Sequence, residues 1–533
     1  MGFLRNFIGA VTKKSVKAEN PYVATSRNEQ NNYNPVYLDN INYQQGFNLV
    51  KGQMTGLGVA NETILGHSIV SAIVDGSIGT GLSVESAVNE DFLADFGVDH
   101  ETVMLVQRKI EASFAIWASD PKYCDRYGLS NLPALERQSL KMLVEHGEFF
   151  ALIRIVNIGG YFFPQVELIS PLMVSSPMNS DTTTIIQGIE FNDRKEEVAY
   201  YVKKIDSTTP MASDWTRIPK RSRSGRVQML HVRSDVIQPN QVRGTSILMP
   251  IANNLVQIDR FNDANAVKAV IQASIGFAIE TDKDVVEDDT SNEVFEEIYN
   301  ASKEVYESRP VKPETPNQTL SLKAGMGLNL PSGKKIKTVE STAPSVNYWD
   351  FINGNVKMMS GGRIPAPEKT FKSYLASYSA SQASMQESQK VFELWVSLLA
   401  DGFLNLLFAQ YVRCLVVQNL VDIPHYFDSP FTMSAWSACQ WYAPALVHND
   451  PVKAVKASIL KINAGLSTRA KETRNLNGAS WAKVIAESAE EVREMERLGI
   501  KTNDADTTDL FEDDEDGEEQ DTDNDTDNEE GEA

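Results

Sequence analysis

A chain of 533 residues with 42% apolar content is too long for one compact core, and its 72 acids against 50 bases exclude a protein that holds nucleic acid by a broad basic face. The imbalance is concentrated at one end: from Asp504 onward there are 17 Asp or Glu and no Lys or Arg, which leaves 55 of the acids against all 50 bases in residues 1–503. Contact of the remainder with polyanions is therefore expected to be local and loose.

Residues 1–60 are rich in Asn, Gln and Tyr with little periodicity, which suggests an arm. From Thr63, the run TILGHSIVSAIVD predicts a helix, followed by Gly76, Gly79, Gly81 and a strand; GxxGxG is not the dinucleotide fingerprint and reads as a turn. A helix is expected over Leu132–Val144, then β-type runs at Ala151–Val156, Tyr161–Ile169, Thr183–Phe191, Val198–Lys203 and Val227–Val232. The basic run between Arg217 and Arg226 carries no interleaved aromatics and reads as an exposed loop joining two strands.

The stretch Gln241–Ser274 organises the rest of the chain. Ile247, Ile251, Leu255, Ile258, Val267, Val270 and Ile271 recur at three- and four-residue steps, so an amphipathic helix is expected from Ser246, capped by Thr245 or Ser246. Next come a strand at Gly276–Glu280, an acidic helix at Glu293–Glu307, a Pro-rich link, a strand-like Thr319–Leu322 and a turn over Leu330–Lys337. That turn resembles a phosphate loop only superficially, because no Ser or Thr follows its lysine. A second helix is expected over Tyr348–Met359, ended by Gly361-Gly362, then a loop over Arg363–Tyr378 with Lys369, Lys372 and Tyr374, and a long helix over Ser379–Arg413. Glu393, Ser397, Asp401 and Asn405 stripe that helix every four residues, which argues for half-burial in a protein and not for a membrane span. Helices at Pro451–Asn463, Thr468–Asn475 and Ser480–Leu498 precede an acidic tail that cannot bury a core.

Chemistry-bearing motifs are missing. Cys124, Cys414 and Cys439 form no CxxC pair and no zinc spacing with the six histidines, and there is no GxSxG, HExxH or Walker A loop. No cofactor, metal or catalytic residue is nominated.

Several segments in order resemble the lambda-like portal proteins of tailed bacteriophages. They are His231-Val232 with Gln241-Val242-Arg243-Gly244, then Leu330-Pro331-Ser332-Gly333, Ile364-Pro365 and Tyr374-Leu375-Ala376-Ser377-Tyr378-Ser379-Ala380. Trp436 with Cys439-Gln440-Trp441, and Asn463-Ala464-Gly465-Leu466-Ser467-Thr468, extend the likeness over residues 60–500. The resemblance implies a ring of twelve subunits at one capsid vertex, a channel for double-stranded DNA in packaging and ejection. It also implies docking of the packaging terminase and a head-completion protein, assembly with capsid and scaffolding proteins, no enzyme activity and no membrane.

By the same resemblance the fold is α+β and multidomain. Residues 61–243 would be a wing of helix and sheet, 244–275 and 345–362 two stem helices around a clip at 276–344, and 363–378 a tunnel loop. Residues 379–415 would be the helix joining wing to crown, and 416–503 the crown. Arg363, Lys369, Lys372, Tyr374 and Tyr378 would lie at the channel, Lys334, Lys335 and Lys337 on the motor-docking clip, and Arg260 and Lys268 on the stem. The rivals are another capsid component, such as a shell subunit, and a packaging ATPase or nuclease. A nuclease or ATPase would need a clustered carboxylate site or a phosphate loop, and a shell subunit does not require two long helices around an inserted lobe.

Overall fold

The computed structural model describes residues 41–177, 181–182, 184–205, 213–234, 239, 241–274, 278–281, 334–337, 348–372, 378–445 and 451–499. Residues 1–40, the acidic helix expected at Glu293–Glu307, the strand expected at Thr319–Leu322 and the acidic tail lie outside them. The chain is a mixture of helices and sheets that divides into two units, Met1–Trp441 and Tyr442–Ala533.

In the first unit, helix α1 (Ile41–Glu62) occupies part of what the composition suggests to be an arm. The physical reason is glycine used for contact: a Cβ at Gly56 would lie 2.2 Å from the Glu145 carbonyl, so the residue that weakens local helix propensity permits close tertiary packing. Thr63 ends α1 and caps α2 (Ile64–Ser77), accepting from the Gly66 amide at 3.1 Å. Strand β1 (Ser83–Ser86) follows, and then α3 (His100–Ser119), whose Phe114 and Trp117 point into the core. Helix α4 (Leu132–His146) ends at Gly147, in the left-handed region at φ 82°.

Two antiparallel sheets come next. Strands β2 (Glu148–Ile158) and β3 (Tyr161–Ile169) form a hairpin, and four short strands make the second sheet: β4 (Ile185–Ile186), β5 (Ile189–Phe191), β6 (Glu197–Ile205) and β7 (Ser213–Pro219). Strand β8 (Met229–Arg233) returns to the first sheet beside β2, giving the order β3-β2-β8. The basic run Arg217–Arg226 includes the end of β7 and the turn to β8; Arg217 pairs with Glu190 on β5 at 2.7 Å, and Arg226 reaches the Ile153 carbonyl at 3.0 Å.

Helix α5 (Ala252–Ser274) starts six residues later than expected. Residues 246–252 form turns, with Met249, Ile251 and Ala252 bonding three residues back, and the first full helical bond runs from Leu255 to Ile251 at 3.0 Å. Pro250 has no amide to give and sits just before the helix. Strands β9 (Ala278–Thr281) and β10 (Lys334–Lys337) pair antiparallel, so the stretch expected as a turn contains a strand. Helix α6 (Tyr348–Met359) falls where the sequence places it, and the expected loop after it holds a short helix, α7 (Pro367–Phe371).

The long helix α8 consists of Tyr378–Leu399, a π-helical turn at Ala400–Leu404, and Asn405–Val417. Over Ala380–Val417 its mean hydropathy reaches 1.6 in the most apolar window, half of which is buried inside the protein. Trp395, Leu399, Phe403, Leu407, Phe408, Tyr411 and Val412 face the core, whereas Glu393, Ser397, Asp401 and Arg413 are exposed. Asp401 accepts from Ser397 and Asn405 at 3.2 Å, a ladder along the wet side. The π turn lies where α8 crosses β8. A Cβ on Gly402 would meet Val232 at 2.7 Å, and Phe403 stands edge-on to Phe149 with centroids 5.7 Å apart. Helix α9 (Pro430–Trp436) and strand β11 (Cys439–Tyr442), paired with β1, complete the core.

The second unit is helical: α10 (Pro451–Asn463), α11 (Arg469–Asn477) and α12 (Trp481–Leu498). Thr468 caps α11, and Ser458 on α10 donates to Glu472 on α11 at 2.7 Å.

One carboxyl on α4 is out of balance with its surroundings. Glu136 is fully buried; it accepts from the Leu82 amide at 3.0 Å through one oxygen, and the other oxygen has no protein partner. Burial pushes its pKa up to about 8, against the opposing Leu82 and Arg137. An acid raised in the folded state is protonated there while the unfolded chain ionises, so stability falls as pH rises from 4.5 towards 8. Glu136→Gln is expected to stabilise the chain at pH 8 by roughly 1–3 kcal/mol and to flatten that slope; urea midpoints of both proteins at pH 5 and pH 8 measure it, and a loss of stability at pH 8 contradicts the assignment.

Candidate functional site

The part of the fold that positions everything downstream is the junction of α4, the two sheets and the entry to α5. Glu148, the first residue of β2, is fully buried, and such a charge survives only with complete compensation. Its Oε1 accepts from Gln53 Nε2 at 2.7 Å and Arg243 Nε at 2.6 Å, and its Oε2 accepts from the Gly244 amide at 2.8 Å. His231 Nε2 lies 2.9 Å from the same Oε2.

Arg243 is equally buried and shares its remaining donors among three carbonyls: Val174 at 3.0 Å, Gln187 at 2.8 Å and Pro171 at 3.0 Å. Its guanidinium stands 5.3 Å from the Phe150 ring centroid, and His231 stacks on that ring at 4.4 Å. On its other side His231 places Nδ1 3.1 Å from Glu197 Oε1 on β6, while Tyr200 donates to the other oxygen of Glu197 at 2.9 Å. His231 thus stands between two carboxylates, one at each ring nitrogen. The relay Arg243–Glu148–His231–Glu197 ties the entry to α5, the β3-β2-β8 sheet and the second sheet into one body.

Backbone contact completes the joint. A Cβ on Gly147 would lie 2.0 Å from Thr245, and one on Gly244 would lie 2.1 Å from the Gly147 carbonyl. That carbonyl accepts from both the amide of Ser234, at 2.8 Å, and its hydroxyl, at 2.9 Å. Ser246, expected as a helix cap, instead donates to the Val144 carbonyl at 2.8 Å and accepts from the Leu248 amide at 3.1 Å. It fastens the chain to α4 six residues before α5 begins.

The residues nominated from sequence are dispersed. Arg363 is half-buried: it donates to the Ser234 carbonyl at 2.9 Å, lies 5.4 Å over the Trp395 ring, and its own carbonyl accepts from Trp395 Nε1 at 3.2 Å. It anchors the base of the expected tunnel loop to β8 and α8. Lys369 is half-buried on α7, and Lys372 is exposed with left-handed backbone, φ 55°. Tyr374 lies outside the described residues, and Tyr378 begins α8. Arg260 is exposed on α5 and Lys268 lies further along it; Lys334, Lys335 and Lys337 share strand β10. Among the described residues no group of three or more His, Cys, Asp or Glu is arranged to hold a metal ion.

Helices α5 and α6 run against each other through aromatic rings. Phe261 stacks on Tyr348 at 5.7 Å and meets Phe351 at 4.5 Å, and the Tyr348 hydroxyl donates to Asn262 at 2.8 Å. On the far sides of the pair, Trp349 is 71% exposed and Met358 77%.

A model of the family "Phage portal protein, lambda family" matches residues 58–395, more than half of the chain. The chain belongs to the lambda family of phage portal proteins. Portal protein B of Escherichia phage lambda is 24% identical over 423 residues, covering 76% of this chain and 77% of that protein. The portal protein of Escherichia phage N15 is 23% identical over 429 residues, with the same coverage. Among solved structures, a chain of the virion of a native gene transfer agent particle covers 80% of this portal chain at 9% identity and a TM-score of 0.43, and a chain of the neck of that particle, computed with C12 symmetry, aligns at 12% identity and a TM-score of 0.40.

Two expectations arise from the junction. Arg243→Met should destabilise the portal chain by about 3–5 kcal/mol, because it leaves the buried Glu148 without its main counter-charge; thermal melts check this, and a change under 1 kcal/mol contradicts it. Burial pushes Glu148 and Glu197 up, but Arg243 and His231 for Glu148, and His231 and Lys220 for Glu197, outweigh it and hold both at about 2. Their stabilisation is thus present above the unfolded value of 4.5 and is lost as pH falls towards 2. Glu197→Gln should weaken the chain at pH 7 and reduce the fall in urea midpoint between pH 5 and pH 3; an unchanged acid slope is the opposing result.

Proposed function

We propose that this chain is the subunit of a twelve-membered ring that forms the capsid's portal vertex, through which double-stranded DNA is packaged and later ejected. The observation that carries the reading is the family match from residue 58 to 395, which spans the sheets, the junction and helices α5, α6 and part of α8. The geometry supports it. Two helices packed on each other and leaving apolar side chains such as Trp349 and Met358 in water need neighbours, and identical subunits around an axis supply them.

In this reading α5 and α6 are the stem, and residues 276–344 between them are the clip, with β9 and β10 and the lysines Lys334, Lys335 and Lys337 as a docking surface for the packaging terminase and then a head-completion protein. The sheets form the wing. The protein is a structural component and not an enzyme: it guides DNA, and the work of translocation belongs to the motor. Capsid and scaffolding proteins surround the ring during assembly.

Sliding DNA requires a wall without deep electrostatic wells, and 50 bases against 55 acids before residue 504 meet that requirement. Transient phosphate contact falls to Lys369 and Lys372, with Arg363 holding the loop's base. In electron micrographs the purified protein is expected to form rings of about twelve subunits with a central hole; monomers or simple dimers contradict the reading. Lys369→Ala with Lys372→Ala should lower packaged or retained DNA several-fold while rings persist, measured as nuclease-protected DNA per particle; normal DNA content in intact particles removes the two lysines from the channel.

A further inference from the structure

The densest basic stretch of the chain takes no part in the junction. Residues 215–234 hold six Lys or Arg and no Asp or Glu. Two of these cations are neutralised within the sheets: Arg217 pairs with Glu190 at 2.7 Å, and Lys220 lies 3.4 Å from Glu197. The turn between β7 and β8 is left with the rest. Arg221 bridges Val227, and Ser222–Gly225 close the turn through bonds from the Ser222 amide to the Arg226 carbonyl at 2.7 Å and from the Gly225 amide to the Ser222 carbonyl at 3.0 Å. Gly225 supplies the left-handed residue at φ 80°. At the tip, the amides of Arg223 and Ser224 have no hydrogen-bond partner among the described residues, and the hydroxyls of Ser222 and Ser224 lie 2.9 Å apart. Arg221 donates to the Gly225 carbonyl at 3.0 Å, and Arg226 donates to the Ile153 carbonyl at 3.0 Å and to Gln410 at 2.8 Å. Those partners are neutral, so they orient the guanidiniums without cancelling their charge. Gln410 lies on α8, and Arg413, one turn further on the same face, adds a fourth cation. Burial and the Arg413 charge lower the pKa of Arg226 against the opposing Cys414. Arg221, Arg223 and Arg413 are exposed, Arg226 is half-buried, and none of the four has a carboxylate partner among the described residues.

We propose that this turn, together with Arg413, is a binding face for the phosphate backbone of duplex DNA, separate from the loop assigned to the channel. The chemistry selects phosphate. Guanidiniums present forked donors that match its oxygens, and the open amides and hydroxyls at the tip are donors of the kind that position a protein on a nucleic-acid backbone. A duplex is favoured over a single strand because residues 216–227 contain no Phe, Tyr or Trp on which an unpaired base could stack. Four clustered arginines make an electrostatic well, so the face holds DNA, whereas a channel wall must let it slide. The two places are also apart along α8: Arg363 lies over Trp395, and the turn reaches Gln410, which is about 22 Å further along the helix at 1.5 Å per residue. The inference rests on the arginine geometry and stands whether or not the portal reading is correct.

Fluorescence anisotropy of a labelled 30-base-pair duplex, titrated with the full-length protein at 50 mM NaCl, tests the proposal. Arg221→Gln with Arg223→Gln, which alters two exposed side chains, is expected to weaken binding about tenfold and to reduce the slope of log affinity against log salt by about 2. Arg413→Gln, on a different element, should weaken binding about threefold. Arg108→Gln with Lys109→Gln, equally exposed cations on α3, should change it less than twofold. Thermal melts show that each variant is folded. The proposal is overturned if the wild-type chain does not bind the duplex, if the two double variants lose affinity equally, or if a 30-base single strand binds more tightly than the duplex. Arginines needed to bind a polyglutamate peptide but not the duplex also overturn it, and would make an acidic protein the partner.

Discussion

One buried carboxylate aligns the entry to α5 with α1 and the first sheet. Glu148 gathers Gln53 from α1, His231 from β8, and Arg243 and the Gly244 amide from the segment leading to α5. An ion pair in a dry interior is a poor source of stability compared with apolar packing of the same volume. Its value here is directional: four donors from three places in the chain satisfy one carboxylate in a single arrangement, which fixes where the chain leaves the sheets for the long helices. The glycine contact at Gly147 and Gly244 serves the same end, because a side chain on either residue would push the two backbones apart.

From that fixed point the remaining architecture is set by packing. Helix α8 crosses the sheet at Gly402, where the π turn absorbs the close approach, and continues into the aromatic cluster of Phe114, Trp117, Phe408, Tyr411 and Trp441. Its Asn405 accepts from the indole of Trp441 at 3.0 Å, so even the polar stripe of the helix contributes one residue to the joint with β11. Arg363 then connects the turn after α6 to both β8 and α8.

Local patterns predicted the elements whose reasons are local. Tyr161–Ile169, Tyr348–Met359 and Pro451–Asn463 have the ends that their periodicity and breakers indicate. Helix α1 was hidden because residues 1–60, rich in Asn, Gln and Tyr, show little periodicity, and its Gly56 serves contact with α4; α5 begins late because Ser246 is drawn to Val144 and Pro250 cannot extend a helix backwards. Of the junction, His231, Arg243 and Gly244 stood out only as parts of a family motif, and their pairing with Glu148 was not legible, since Gln53 and Glu148 are 95 positions apart and no spacing rule links them. One signal was available: an acid directly before Phe149-Phe150, at the start of an apolar strand, demands buried partners. Lys369 is half-buried on α7 and Lys372 exposed just after it, whereas Arg363 has the contacts of an anchor.

If Glu148 and Arg243 are the fixed point, the backbone around them opens only with global unfolding. Amide hydrogen exchange measures this directly at Gly244, whose amide donates to Glu148. Gly244 is then expected to exchange as slowly as the most protected amides of β2 in the wild-type chain; exchange of Gly244 at the rate of surface loops, with β2 still protected, would contradict a junction held by Glu148.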